Sequence, residues 1–104
     1  KTAFITLESI KENITPKHIA EKRNLTLGTI VSHIEELFEA RVINQKDIEY
    51  IIKDIEKHYS SSDMKIIKKI LKQDTGLKVK HEELNKKYKI EIDFNELKLL
   101  RLNI

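Results

Sequence analysis

The chain has 104 residues, 39% hydrophobic and 36% charged, with no cysteine, two glycines and one proline. This composition excludes disulfides and thiolate metal centres, suits a reducing cytoplasm, and supplies too few turn residues for an all-β domain. The net charge of +3 and the pI of about 9.1 permit nucleic-acid binding without requiring it.

In chain order the pattern is helical throughout. Phe4, Ile5, Leu7 and Ile10 recur at helical spacing, with Ile14 following, and predict a first helix with an inward face made of these side chains and a stop at Asn13. Thr15 is a good N-cap and Pro16 suits a first helical position, where no amide partner is lost. A short second helix then ends near Arg23, with Ile19 and Ala20 inward.

Asn24 stands between two helices, where a left-handed backbone conformation fits. Asparagine is the most tolerant residue there after glycine. Thr26 caps a third helix, on which Leu27, Ile30, Val31, Ile34, Leu37 and Phe38 form an apolar stripe reaching about Ala40. Its opposite face carries Gly28, Thr29, Ser32, Glu35, Glu36 and Glu39.

A fourth helix follows in "QKDIEYIIKDIEKHY", with Ile48, Ile51, Ile52, Ile55 and Tyr59 buried. Asp63 or Ser62 caps a fifth, whose inward face is Ile66, Ile67, Ile70 and Leu71 and which closes at Gly76. "HEELNKKY" predicts a short sixth helix and "KIEID" an extended link. Asp93 or Asn95 caps the last helix, "NELKLLRL". The fold class is therefore all-α: a helix-turn-helix nucleus over about 2–43 with a helical extension over about 45–104, in one domain. No apolar run reaches the roughly 20 residues that span a bilayer, so no membrane is expected. The chain begins at Lys1 without a signal-peptide pattern, and a cut from a longer protein is expected.

The stretch "ITPKHIAEKRNLTLGTIVSHIEEL" carries the functional signal. Two helices meet across a short turn. Ala20 allows close approach, Asn24 makes the corner, Leu25 plugs the core behind it, and Ile30 and Ile34 anchor the second helix on the first. In DNA-binding arrangements of this kind the second helix enters the major groove. Its reading side chains here would be Thr26, Gly28, Thr29, Ser32 and His33, with Lys17, Lys22 and Arg23 near phosphates. Three features weigh against base reading. The first two turns lack Arg, Lys, Asn and Gln, the usual bidentate readers. Glu35, Glu36 and Glu39 would repel phosphates they faced. Residues 1–44 balance six Lys/Arg with six acids, so the whole positive excess lies in the second half, 14 against 11. A second basic feature is the lysine stripe Lys65, Lys68, Lys69 and Lys72, read as a solvated face or as a phosphate-tracking surface.

The run from Ile14 to Ile43 resembles the helix-turn-helix domain at the C-terminal end of bacterial RecQ-type helicases and helicase-like ATPases. The matching residues are Ile19, Ala20, Arg23, Leu25, Thr29, Ile30 and His33. The closing segment "IDFNELKLLRL", with Phe94, Leu97, Leu100 and Arg101, is similar to that family's end, while "EELNKKYKIEID" reads as an insertion. Asn24 departs from the usual glycine. A more distant likeness is to LuxR-type transcription regulators, which end soon after the reading helix. The first resemblance implies an accessory DNA-binding or docking unit of a DNA-unwinding motor in the bacterial cytoplasm, associated with the nucleoid. Its partners would be duplex, single-stranded or forked DNA, and the helicase core of its own parent chain. The rival reading is a protein-docking or dimerisation module that binds no DNA.

Catalysis is not indicated. Among His18, His33, His58 and His81 no pair has zinc-protease spacing, and His18 with His33 lacks a third ligand, so no metal is expected. His33 is expected to be partly buried, bonding a backbone carbonyl or a carboxylate at the helix junction. Ser60–Ser62 reads as a turn and cap. Gly28 and Gly76 are isolated and form no phosphate-cradling loop, so no cofactor is expected. Tyr59 and Tyr88 read as packing residues or base-stacking ones.

Overall fold

A computed structural model describes residues 2–104. Within them the chain forms seven helices and no strand: α1 (Thr2–Lys11), α2 (Pro16–Arg23), α3 (Leu27–Glu39), α4 (Glu49–Glu56), α5 (Ser61–Leu71), α6 (Leu77–Lys86) and α7 (Phe94–Arg101). None is long and apolar enough to cross a membrane.

Helix α3 is the hub. It packs against α1 and α2 on one side and α7 on another; α7 in turn meets α4 and α6, and α5 packs on α6. The reason is the width of its apolar stripe. Ile30, Val31, Ile34 and Leu37 are all essentially inaccessible to water. A stripe that broad buries fully only when neighbours flank it on more than one side.

The helix ends follow local chemistry. Thr15, Thr26, Ser60 and Asp93 cap α2, α3, α5 and α7 by accepting a backbone N–H with the side chain. The cap of α5 is thus Ser60, not Asp63 or Ser62, which fall inside the first turn. Asp93 rather than Asn95 caps α7. Gly76 opens α6 as its N-cap instead of closing α5, so α6 begins four residues before the expected His81. Its hidden start contains Lys80, a buried lysine whose Nζ donates to the Leu71 carbonyl at 2.8 Å and caps the end of α5.

Left-handed corners stop other helices. Asn13 (φ 61°), Asn24 (φ 55°), Arg41 (φ 61°) and Lys89 (φ 58°) all adopt positive φ, and neither glycine does. At the central corner the Leu25 N–H reaches back to the Ala20 carbonyl at 2.9 Å, the bond that reverses the chain after α2.

Four side chains do not sit where the sequence placed them. Phe4 and Ile5 are 52% and 56% exposed, and the inward face of α1 is instead Ala3, Thr6, Leu7 and Ile10. Leu25 is 38% exposed and does not plug the core; Leu27 packs there two residues on. In α5, Met64 is buried and Ile66 only partly so. The "KIEID" link forms no strand, yet its alternation holds: Ile90 and Ile92 are buried and Glu91 is exposed.

The extension is fastened to the nucleus by Tyr50 of α4, whose hydroxyl donates to the Ile14 carbonyl at 2.7 Å. Burial pushes this hydroxyl well above the ordinary tyrosine value of 10. Replacing it by Tyr50→Phe leaves a partly buried carbonyl without its partner and should cost about 1 kcal/mol, read as a lower urea midpoint. The raised hydroxyl also sets a pH direction. The neutral form is the one the fold prefers, so stability holds below pH 10 and falls above it. That alkaline loss should be smaller in Tyr50→Phe.

Candidate nucleic-acid interface

The exposed face of α3 divides into two halves. Its N-terminal half presents Gly28, Thr29 and Ser32, all small and uncharged. Its C-terminal half presents Glu36 and Glu39, both exposed. Glu35 is drawn aside: its Oε2 accepts from Arg101 of α7 at 3.0 Å. An approaching polyanion therefore meets a neutral surface at the helix start and a repulsive one beyond it. Docking with the N-terminal half foremost is the electrostatically favoured pose.

The expected reading residues come together only in part. Thr26 and Thr29 are engaged with each other: the Thr29 N–H donates to Thr26 Oγ1 at 3.2 Å and the two hydroxyls lie 2.9 Å apart. Ser32 is exposed, and Gly28 is partly buried. Lys17 and Lys22 are exposed on α2.

Arg23 and His33 are turned inward. Arg23 donates to the Thr6 hydroxyl of α1, and His33 Nδ1 lies 2.9 Å from the same oxygen. Thr6 is completely buried. One hydroxyl can accept from the guanidinium and donate its single proton to an imidazole nitrogen, so the Thr6 oxygen serves both neighbours. His33 thus bonds a hydroxyl rather than the expected carbonyl or carboxylate, and both residues hold α1 on the α2–α3 pair. Thr6 itself was passed over in the sequence. The available signal was a polar residue between Ala3 and Leu7 on an otherwise apolar helical face.

The lysine stripe does form one face. Lys65, Lys69 and Lys72 are exposed, while Lys68 pairs with Glu56 of α4 at 3.3 Å. That face is not part of the α2–α3 corner: α5 packs mainly on α6, and its Lys68 pairs with α4.

Between the nucleus and the extension lies a cleft of about 430 Å³, floored by Leu27, Val31, Ile51, Ile55 and Leu99 and rimmed by Lys17, His18, Asp54 and His58. On its rim Glu96 of α7 bonds both His58 Nδ1, at 3.0 Å, and the Tyr59 hydroxyl, joining the end of α4 to the start of α7. Burial, and then this carboxylate, push the Tyr59 hydroxyl up from its ordinary value. Tyr59 is thereby a packing residue. Among the described residues no group of three His, Asp or Glu side chains is placed to hold a metal ion.

With this geometry in place, the comparison with known families is direct. A family described as a helix-turn-helix domain matches residues 2–101, and the chain belongs to it. The match takes in the extension as well as the nucleus. No curated protein and no solved structure matches the chain. Helix-turn-helix domains as a class point to DNA binding, and a small all-α domain of this kind is typically not an enzyme.

The Thr6 junction yields a test of the account. Thr6→Val keeps the shape but removes the hydroxyl, leaving Arg23 and His33 each short of a bond. A loss of about 1–3 kcal/mol is expected in denaturant unfolding. Thr6→Ser should retain most of the stability.

Proposed function

We propose that this protein is an accessory DNA-binding module of a helicase-type protein, engaging duplex or forked DNA through the α2–α3 corner with low sequence specificity. The observation that carries the reading is the small, uncharged start of α3 beside two exposed lysines of α2. Lys17 and Lys22 would meet phosphates, and the Thr26, Gly28, Thr29 and Ser32 surface would lie against the groove. Arg23 and His33 act behind that surface by fixing α1. Without bidentate readers the contact would recognise shape and backbone more than sequence, which suits a motor that acts at many sites.

Gly28 supports the same reading. A methyl group there would meet nothing nearer than Thr26 Oγ1 at 3.9 Å, and the residue has no positive φ. Nothing inside the protein requires glycine, yet glycine weakens a helix by roughly 0.5–1 kcal/mol relative to alanine. Close approach of an outside surface to the backbone is a physical use for it.

One observation favours the docking alternative: Phe4 and Ile5 stand exposed side by side on α1. Salt separates the two readings. Phosphate contacts make binding fall with salt at about 0.9 logarithmic units per phosphate neutralised. An apolar docking face has no such dependence. Fluorescence anisotropy with a labelled duplex should show a steep salt slope, reduced by about 2 in Lys17→Glu/Lys22→Glu. An absence of duplex binding at low salt would remove the reading. Gly28→Ala should raise thermal stability while lowering duplex affinity. Affinity that rises with stability would place Gly28 outside the interface.

A further inference from the structure

The lysine stripe of α5 lies on the far side of α4 from the α2–α3 corner. Helix α4 itself shows this. The cleft against α2 and α3 is lined by Ile51, Asp54 and Ile55 of α4 and by His58 just beyond its end. Two hollows on the other side are lined by Glu49, Ile52, Lys53 and Glu56. The two sets follow the same helical spacing but are offset by two residues. At about 100° per residue that is roughly half a turn, so they are opposite faces of one helix.

The far face is basic and continuous. Glu56 lines both of its hollows, one with Lys46 and Lys53, the other with Lys65 and Lys68. Lys69 and Lys72 extend the stripe along α5. Four lysines thus line the two hollows with two carboxylates, Glu49 and Glu56, the second paired with Lys68, and Lys69 and Lys72 add two exposed charges on α5. Protein interfaces are depleted in lysine and anchored by aromatic side chains. The α5 stripe itself carries no aromatic ring, and Tyr59, which lines the second hollow, is held by the Glu96 carboxylate. From Lys65 to Lys72 it runs about 10 Å along the helix, a length that follows about two or three successive phosphates of a nucleic-acid strand.

We propose that this face is a second, sequence-tolerant binding surface for a nucleic-acid backbone, so that a single copy of the protein bridges two DNA segments. The inference rests on the α2–α3 reading above, because the first segment is the one held there. Because the stripe and the corner lie on opposite sides of α4, the second surface would be free to hold another segment.

The test is capture of one duplex by another. A biotinylated duplex is immobilised, loaded with the protein, washed, and exposed to a fluorescent duplex at low salt. The wild-type protein should retain the second duplex. Lys65→Glu/Lys69→Glu/Lys72→Glu should lose that capture by at least about tenfold while its anisotropy affinity for a single duplex stays within about threefold, a difference of under 1 kcal/mol. Lys68 is left in place because it pairs with Glu56. If the triple glutamate variant does not fold by circular dichroism, the triple glutamine variant replaces it with the same expectation. Three outcomes overturn the proposal: single-duplex binding without capture, which assigns the stripe to another class of partner; undiminished capture by the folded variant; and a dimer in light scattering without DNA, which explains bridging by two copies. Failure of all duplex binding would instead overturn the reading of the corner.

Discussion

The fold depends on the burial of α3. Four branched aliphatic side chains, Ile30, Val31, Ile34 and Leu37, face inward over about two turns and leave almost no surface to water. One partner helix cannot cover a stripe of that width. The extension is therefore part of the solution: α7 closes the side of α3 that α1 and α2 leave open. The helix-turn-helix family match, which runs over residues 2–101, takes in α7 together with α1, α2 and α3.

Burial on several sides also decides what α3 can show to a partner. Polar side chains at the margins of its stripe are taken by neighbours, His33 by Thr6 of α1 and Glu35 by Arg101 of α7. Only a narrow strip remains exposed, neutral at the start and acidic at the end. The lack of strong base readers and the one-sided placement of acid point the same way. They favour contact with shape and backbone, led by the beginning of the helix. The lysines that would add affinity to this contact lie off the strip, on α2.

Much of the fold was legible because its signals are local. Thr15 with Pro16, Asn24 and Thr26 each act within a few residues of themselves, and each took its expected place. The alternation of Ile90 and Ile92 was equally clear, since buried and exposed positions simply take turns. Errors arose where two registers compete. On α1 the residues Phe4, Ile5, Leu7 and Ile10 suggest one face, but the chain buries the smaller Ala3 and Thr6 instead. Small residues there allow α1 to approach α3, and the Thr6 hydroxyl is needed by Arg23 and His33. Such choices depend on the partner helix and are not written in periodicity. The same holds for the site. The exposure of Ser32, Glu36 and Glu39 on α3 was readable, whereas the partial burial of Gly28 and Thr29, the inward turn of Arg23 and His33, the Glu35–Arg101 pair and the position of the α5 stripe behind α4 all arise from tertiary contacts.

The central claim is that the start of α3, with its neighbours on α2, is the surface that meets DNA. Chemical-shift mapping of backbone amides during titration with a short duplex tests it most directly. The account predicts that the largest shifts cluster at Lys17, Lys22 and Thr26 through Ser32, and that Glu36 and Glu39 change little. Shifts confined to the exposed side of α1 around Phe4 and Ile5, or to the far end of α3, would contradict it.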